Sequence, residues 1–200
     1  MAINLANNSS LANITALPSS ISGGGMTLIS EQTASSSATL SFTSGIDSTY
    51  DSYVFKIIDL HPSNNSVNLL VNFRDGGSSF DAIKTTTYFR AYHDEADTLT
   101  SLAYDTGTDL AQSTASQSLN QSVGNADDES CVGTLQLFSP SSTTFVKHFM
   151  FRGNRYHASN LTIDDYVAGY CNTTSAIDGV QFSFASGSIE SGTIKMYGVS

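Results

Sequence analysis

The sequence predicts an all-β protein, an antiparallel β-sandwich of jelly-roll-like arrangement with an extended N-terminal arm. Short runs in which apolar and polar residues alternate recur between residues 26 and 199, and this period of two is typical of half-buried strands. Turn signals rich in Gly, Pro, Asn and Asp separate the runs. No segment shows the apolar period of an amphipathic helix. A jelly roll is the commonest arrangement for so many short antiparallel strands.

The predicted strands follow one another along the chain with turns between them. They lie at 27–30, 38–42, 53–60, 67–73, 84–92, 131–138, 144–151, 166–172, 180–185 and 193–199. Two shorter strands, around Ala103 and over 118–123, are predicted inside a more polar stretch. Asp75-Gly76-Gly77 after the fourth run is a hairpin-type turn that needs positive φ. The last run alternates as far as Val199, so we expect this end to be paired into the sheet.

The N-terminal segment differs from the rest of the chain, because Met1–Ser30 contains no charged residue. We divide the chain into a docking arm with a glycine hinge (1–25) and a single sandwich domain (26–200). The hinge is Gly23-Gly24-Gly25, which loosens the backbone. A solvated tail is one alternative, but disordered tails usually carry charge. We therefore expect the arm to dock on a neighbouring subunit or another protein through its spaced aliphatic residues. These are Ile3, Leu5, Leu11, Ile14, Leu17 and Ile21.

Much of the acidity of the chain is concentrated between His93 and Ser130. We interpret this stretch as exposed recognition loops. Its candidate residues are Asp94, Glu95, Asp97, Asp105, Asp109, Asp127 and Asp128. Solvated acidic loops are the simpler interpretation, and an oxygen-only calcium site built from separate loops stays open as an alternative.

Charge and composition exclude several classes of function. The formal net charge is −10 with 8 basic residues and no basic cluster, which disfavours binding to nucleic acid or to anionic membranes. No apolar run reaches membrane-spanning length, so we expect no membrane insertion. The N-terminus lacks the features of a signal peptide, which predicts synthesis in a cytoplasm without export. Cys131 and Cys171 are predicted either to pair or to be two buried small apolar residues.

No catalytic constellation is present in the sequence. There is no Gly-x-Ser-x-Gly elbow, no Cys-x-x-Cys or His-x-x-x-His pair and no Gly-rich phosphate loop. Asp164-Asp165 is interpreted as an ordinary surface pair, since no apolar surround is evident that would raise a pKa. We therefore predict a protein that is not an enzyme and has no catalytic residue, no cofactor and no metal ligand.

Several strings in the chain carry a family resemblance. They are SGIDSTYD (44–51), AYHDEAD (91–97), SLAYDTG (101–107), PSSTTFVKH (140–148), GYCNTTSA (169–176) and GTIKMYGV (192–199). Over residues 26–199 the chain resembles a family of virion structural proteins of marine tailed bacteriophages, of the tail-fibre or surface-decoration type. The resemblance implies a virion component and brings no catalytic residues.

This resemblance leads to an expectation of function. We expect a homo-oligomeric component of the virion exterior, attached through its arm and associated with a tail fibre, spike or receptor-binding structure. Its expected partners are itself, as a homotrimer, and other virion proteins. A capsid decoration protein that stabilises the head shell is the first alternative. A carbohydrate-binding module with tyrosine-lined loops, which would bind a host surface glycan, is the second.

Overall fold

A computed structural model describes residues 25–200, which form twelve strands and no helix. The strands are β1 (Thr27–Thr33), β2 (Leu40–Phe42), β3 (Ser52–Pro62), β4 (Val67–Arg74), β5 (Lys84–Asp94), β6 (Thr100–Tyr104), β7 (Gln117–Val123), β8 (Cys131–Phe138), β9 (Lys147–His157), β10 (Leu161–Cys171), β11 (Gly179–Phe184) and β12 (Ile189–Val199). No helix in these residues is therefore long and apolar enough to cross a membrane. The predicted arm contacts, Ile3 to Ile21, lie outside the described residues.

The strands form two layers. The larger layer has the order β1-β12-β3-β8-β9-β10-β5-β6, and the smaller has the order β2-β11-β4-β7. All neighbouring strands are antiparallel. The layers meet where Val123 of β7 pairs with His157 of β9. The twelve strands are thus linked by hydrogen bonds from one layer into the other, as in a partly closed barrel.

The path of the chain is that of a jelly roll. Successive strands from β2 to β5 alternate between the two layers, β5 and β6 form a hairpin, and the chain then crosses back to β7. Where a jelly roll has a single strand between β3 and β5, this chain has the three-stranded meander β8-β9-β10. In addition, β12 and β1 extend the larger layer beyond β3. The predicted all-β, jelly-roll-like antiparallel sandwich is therefore confirmed.

Aromatic rings from both layers fill the interior. Phe42 of β2 lies edge-on to Phe55 of β3 at a centroid distance of 5.3 Å, and Phe73 of β4 lies 4.7 Å from Phe149 of β9. All four rings are buried. Full burial of one such ring contributes about 1.5–3 kcal/mol, so these cross-layer contacts hold the two sheets together.

The β9–β10 hairpin extends further than the sequence predicts. Alternation predicts these strands over 144–151 and 166–172, whereas they cover Lys147–His157 and Leu161–Cys171. In the added part the inward-facing side chains include Arg155 and Asp165, so the apolar alternation disappears although the strands continue. The interpretation of Asp165 as a surface residue was wrong, because its side chain has no exposed area.

Candidate functional site

The turn between β5 and β6 carries the first predicted recognition residues, Asp94, Glu95 and Asp97. The Asp94 carboxylate accepts hydrogen bonds from the Thr98 hydroxyl (2.5 Å) and from the backbone N–H groups of Thr98 (2.8 Å) and Leu99 (2.7 Å). These bonds lower the pKa of Asp94. Asp94 therefore closes the turn, while Glu95 and Asp97 are exposed at its tip.

Asp105 and Asp109 lie in the segment that crosses from β6 to β7, and both are half-buried. Asp105 pairs with Arg90 of β5 at 3.4 Å, and Asp109 accepts a hydrogen bond of 2.6 Å from the Tyr104 hydroxyl. The bond to Asp109 raises the pKa of Tyr104. These two acids hold the crossing segment against β5 and β6, away from the turn at 94–97.

Asp127 and Asp128 line a cleft of about 690 Å³ at one end of the sandwich. Its titratable side chains are those of Asp59, His61, Asp127, Asp128, Glu129 and Glu190. The residues from β3 and β12 could not be assigned to this cleft from the sequence, because only strand pairing brings them beside the β7–β8 turn. Within residues 25–200, no group of three or more His, Cys, Asp or Glu side chains is arranged to hold a metal ion. The cleft is thus an acidic surface without the geometry of a metal site.

Tyr156 connects two of the acidic turns. Its hydroxyl donates a hydrogen bond of 2.8 Å to Glu95, which raises the pKa of Tyr156, and the nearby carboxylates of Asp128 and Glu129 act in the same direction. The structure therefore brings the turns at 94–97 and 127–129 to one end of the sandwich.

The outer edge of the large sheet is formed by β6, which pairs with β5 on one side only. Three large side chains at this edge are exposed: Leu99 (55%), Leu102 (73%) and Tyr104 (50%). The strand contains no Lys, Pro or acidic residue. Natural proteins usually protect a free strand edge with such residues, because its unpaired backbone groups recruit other strands. We call Leu99–Tyr104 the β6 edge; its free side carries none of these protective residues.

An aromatic row lies beside the β6 edge on the outer face of the large sheet. Phe89 of β5 stacks on Tyr166 of β10 at 4.6 Å with an interplanar angle of 4°, and the Arg152 guanidinium of β9 lies 5.1 Å from the Tyr166 ring centroid. Because β10 runs between β5 and β9, the two neighbours cover opposite faces of the Tyr166 ring. Neither face of the Tyr166 ring is therefore free to stack on another ring.

A polar network is buried between the layers around Asp165. Its carboxylate accepts hydrogen bonds from Arg155 Nε (2.7 Å), the Tyr88 hydroxyl (2.6 Å) and Asn120 Nδ2 (2.7 Å). Burial raises the pKa of Asp165, while the guanidinium and the two other donors act in the opposite direction. The carboxylate has no exposed surface, so a substrate in solution has no access to it.

Cys171 of β10 lies between two buried lysines, because its cross-strand partners are Lys84 of β5 and Lys147 of β9. The two ammonium groups donate to backbone carbonyls of adjacent loops at 2.8 Å and 3.0 Å. Burial raises the pKa of Cys171 to about 12 and lowers that of Lys84 to about 8. Cys131 is also free and buried, so the two cysteines are unpaired small apolar residues, one of the two alternatives that the sequence left open.

Only part of this chemistry is accessible to a partner. The Asp165 network and both thiols are enclosed, whereas the β6 edge, the aromatic row and the acidic cleft face solvent. No protein-family model, curated protein or solved structure matches the chain. Of the accessible features, the β6 edge has the clearest physical need for a partner, because its backbone groups and leucines are both uncovered.

Proposed function

We propose that this chain is a structural protein of a bacteriophage virion, a homo-oligomeric component of the particle exterior associated with the tail. The β6 edge is the observation that carries the proposal. Leu99, Leu102 and Tyr104 expose apolar surface next to an unpaired backbone, and assembly removes both from water. The resemblance to phage virion proteins is the reason for proposing that this assembly is a virion.

The distribution of charge supports the β6 edge as a contact surface for one specific partner. Three basic residues (Lys84, Lys147 and Arg155) and two acidic residues (Asp165 and Glu129) are buried, so the exposed surface is slightly more acidic than the net charge of −10 indicates. Like-charged copies repel each other wherever acidic surfaces meet. The uncharged β6 strand interrupts that acidic surface, which favours contact at one place and discourages random association.

The burial of the polar groups described above agrees with a non-enzymatic role. Asp165, which accepts hydrogen bonds from Arg155, Tyr88 and Asn120, is enclosed between the layers, and Cys171 is equally inaccessible. A nucleophile or general acid must reach its substrate. These groups therefore act in stability.

Two alternatives differ in what they require of the surface. A capsid decoration protein would use the same edge between shell subunits, and it differs from a tail protein mainly in copy number. A carbohydrate-binding module requires free aromatic faces. Tyr166 does not offer such a face, because Phe89 and Arg152 cover its ring, whereas Tyr104 at the β6 edge is 50% exposed.

Quantitative mass spectrometry of purified particles tests the proposal. A tail component is expected at far fewer copies than the major capsid protein, in a ratio that fits a whole number of trimers. A ratio that approaches that of the capsid subunits supports shell decoration. Absence of the chain from particles that are intact and infectious would refute virion membership.

A further inference from the structure

We propose that the β6 edge of one copy pairs with β1 of a second copy, so that the larger layers of neighbouring copies join into one antiparallel sheet. This inference rests on the proposed homo-oligomer and names the two surfaces through which it forms. Strand pairing between chains joins the free backbone groups of both edges and buries the apolar side chains beside them.

The first strand of the larger layer has a free edge of its own. Among residues 25–200, β1 pairs only with β12, and it ends the layer on the side opposite β6. We call Met26–Thr33 the β1 edge. Two large side chains here are exposed, Met26 (44%) and Leu28 (49%). Because six strands separate β1 from β6 within one copy, a contact between these two edges joins two copies.

The direction of the strands fits the two edges to each other. Neighbouring strands of the larger layer alternate in direction over its eight strands. An antiparallel strand added beyond β6, in the ninth position, therefore has the direction of β1. A second copy whose β1 edge is added in this way turns the same face of its layer outward as the first copy does.

Antiparallel addition brings apolar side chains of the two edges onto one face. Leu28 pairs with Tyr197, which faces outward between buried residues of β12. Leu102 lies two residues from Tyr104, which pairs with Phe89 of the aromatic row on the outer face. Both leucines are therefore on the outer face of the layer and can cover each other across the pair. Parallel addition would place them on opposite faces.

Charge favours β1 over a second β6 edge as the partner. The turn before β6 (94–97) and Asp105 after it are acidic, so antiparallel pairing of two β6 edges would bring acidic ends together at both ends of the contact. Residues 25–37 contain one charged residue, Glu31, which pairs with Lys195 of β12 at 3.1 Å. The acidic ends of β6 thus meet uncharged residues at both ends of β1.

The contact is heterologous, because each copy contributes two different edges. A dimer formed in this way keeps one free β6 edge and one free β1 edge, so further copies are added until a ring closes. Pairing of two β6 edges would stop at a dimer instead. The expected homotrimer is a ring of the heterologous kind.

Cysteine cross-linking of the full chain tests the pairing. Copies carrying Leu28→Cys are co-expressed with copies that carry Leu102→Cys and a C-terminal tag, and the purified oligomer is treated with a short bifunctional maleimide. The tag separates the possible cross-linked products by size, and the native thiols are buried. The matched control replaces Leu102→Cys with Phe145→Cys, because Phe145 is 72% exposed, almost the same as Leu102 at 73%, and lies on the β8–β9 connection.

The expected result is a cross-link between positions 28 and 102 that forms at least about tenfold faster than the one between positions 28 and 145. Hydrogen exchange of the wild-type chain should also show that assembly protects amides in both 27–33 and 100–104. This second measurement needs no substitution, so it does not depend on how a variant folds.

Three other outcomes would overturn the inference. An oligomer that cross-links mainly through two copies of position 102, or equally fast at positions 102 and 145, overturns it and leaves the proposed homo-oligomer intact. A chain that stays monomeric overturns both. Protection that appears only after another virion protein is added assigns the edges to that protein and also overturns the inference.

Discussion

Arg155 and Asp165 form an ion pair in which neither side chain has any exposed surface, with Nε 2.7 Å from Oδ2. They lie on neighbouring strands, β9 and β10, and face the interior. Asn120 of β7, in the other layer, donates to the same carboxylate at 2.7 Å. One carboxylate therefore links the two sheets of the sandwich.

Removing one partner of this pair should be strongly destabilising. Asp165→Asn leaves a buried guanidinium without its counter-ion, and we expect the free energy of unfolding to fall by about 3–5 kcal/mol. Arg155→Met should cost a similar amount. The double variant should lose less than the sum of the two, because it leaves no unpaired charge. Denaturant unfolding monitored by circular dichroism measures all three.

An exposed pair on the same two strands is the control for this prediction. Arg152 and Asp164 are 2.8 Å apart on the outer face, where Arg152 is 68% exposed. Asp164→Asn should therefore cost no more than about 1 kcal/mol. Equal losses for Asp164→Asn and Asp165→Asn would contradict the role assigned to the buried pair.

Gly153→Ala should destabilise the fold although alanine usually stabilises strands relative to glycine. Gly153 pairs with Gly133 across β8 and β9, and the Phe151 ring lies over both positions. A Cβ at Gly153 would lie 2.7 Å from the Val132 carbonyl oxygen, a backbone atom that cannot rotate away. We expect a loss of about 1–3 kcal/mol in the free energy of unfolding.

Met150→Ala is the control for that substitution, because Met150 lies on the same strand and is 58% exposed. It should change stability by no more than about 0.5 kcal/mol. A Gly153→Ala protein as stable as the wild type would show that the close approach of the two glycines is not required.

Lys84 should make stability depend on pH in the alkaline range. Burial lowers its folded-state pKa from 10.5 to about 8. Between these values the unfolded chain binds more protons, so this residue makes the free energy of unfolding rise with pH. Below about pH 8 both states are protonated, and the full penalty of roughly 3 kcal/mol is present.

Lys84→Met removes this contribution, and the difference between variant and wild type isolates it from tyrosine ionisation. The stability of the variant minus that of the wild type should be largest at about pH 7 and should decrease by about pH 9.5. Urea unfolding at both pH values measures it. A difference that does not change with pH would mean that Lys84 titrates normally in the folded protein.

Leu102→Asp should dissociate the proposed homo-oligomer without affecting the fold of the subunit. The side chain is 73% exposed, so the free energy of unfolding of the isolated subunit should change by no more than about 0.5 kcal/mol. In the assembled state the new carboxylate would be buried without a partner, and we expect the dissociation constant to rise at least about tenfold. Sedimentation velocity over a range of concentrations measures this. Phe145→Asp is the control. An equal rise in the dissociation constant for this variant would show that the β6 edge is not the assembly surface.

The strands could be predicted from the local sequence pattern wherever their inward-facing side chains are apolar. Alternation predicts 131–138 for β8, and the strand is Cys131–Phe138. The pattern failed over the outer half of the β9–β10 hairpin, because Arg155 and Asp165 occupy inward positions there. Their charges satisfy each other only after the chain has folded, and no local signal in the sequence shows this.

Less of the candidate site than of the fold could be predicted from the sequence. The short strand around Ala103 was predicted correctly, but its sequence does not reveal that it lies at the edge of a sheet. Edge position depends on the pairing of β5 with β10, residues far apart in the chain. The acidic residues grouped by sequence at 93–130 separate in space for the same reason, with Asp105 held by Arg90 and Asp128 in the cleft.

Locating the chain on the particle tests the proposal that it is an exterior component of a virion. Purified particles would be labelled with gold-conjugated antibodies raised against the folded domain and imaged by electron microscopy. We expect label on the outside of the particle, concentrated at the tail. Label confined to the head shell would contradict the tail assignment, and particles without label would contradict the claim itself.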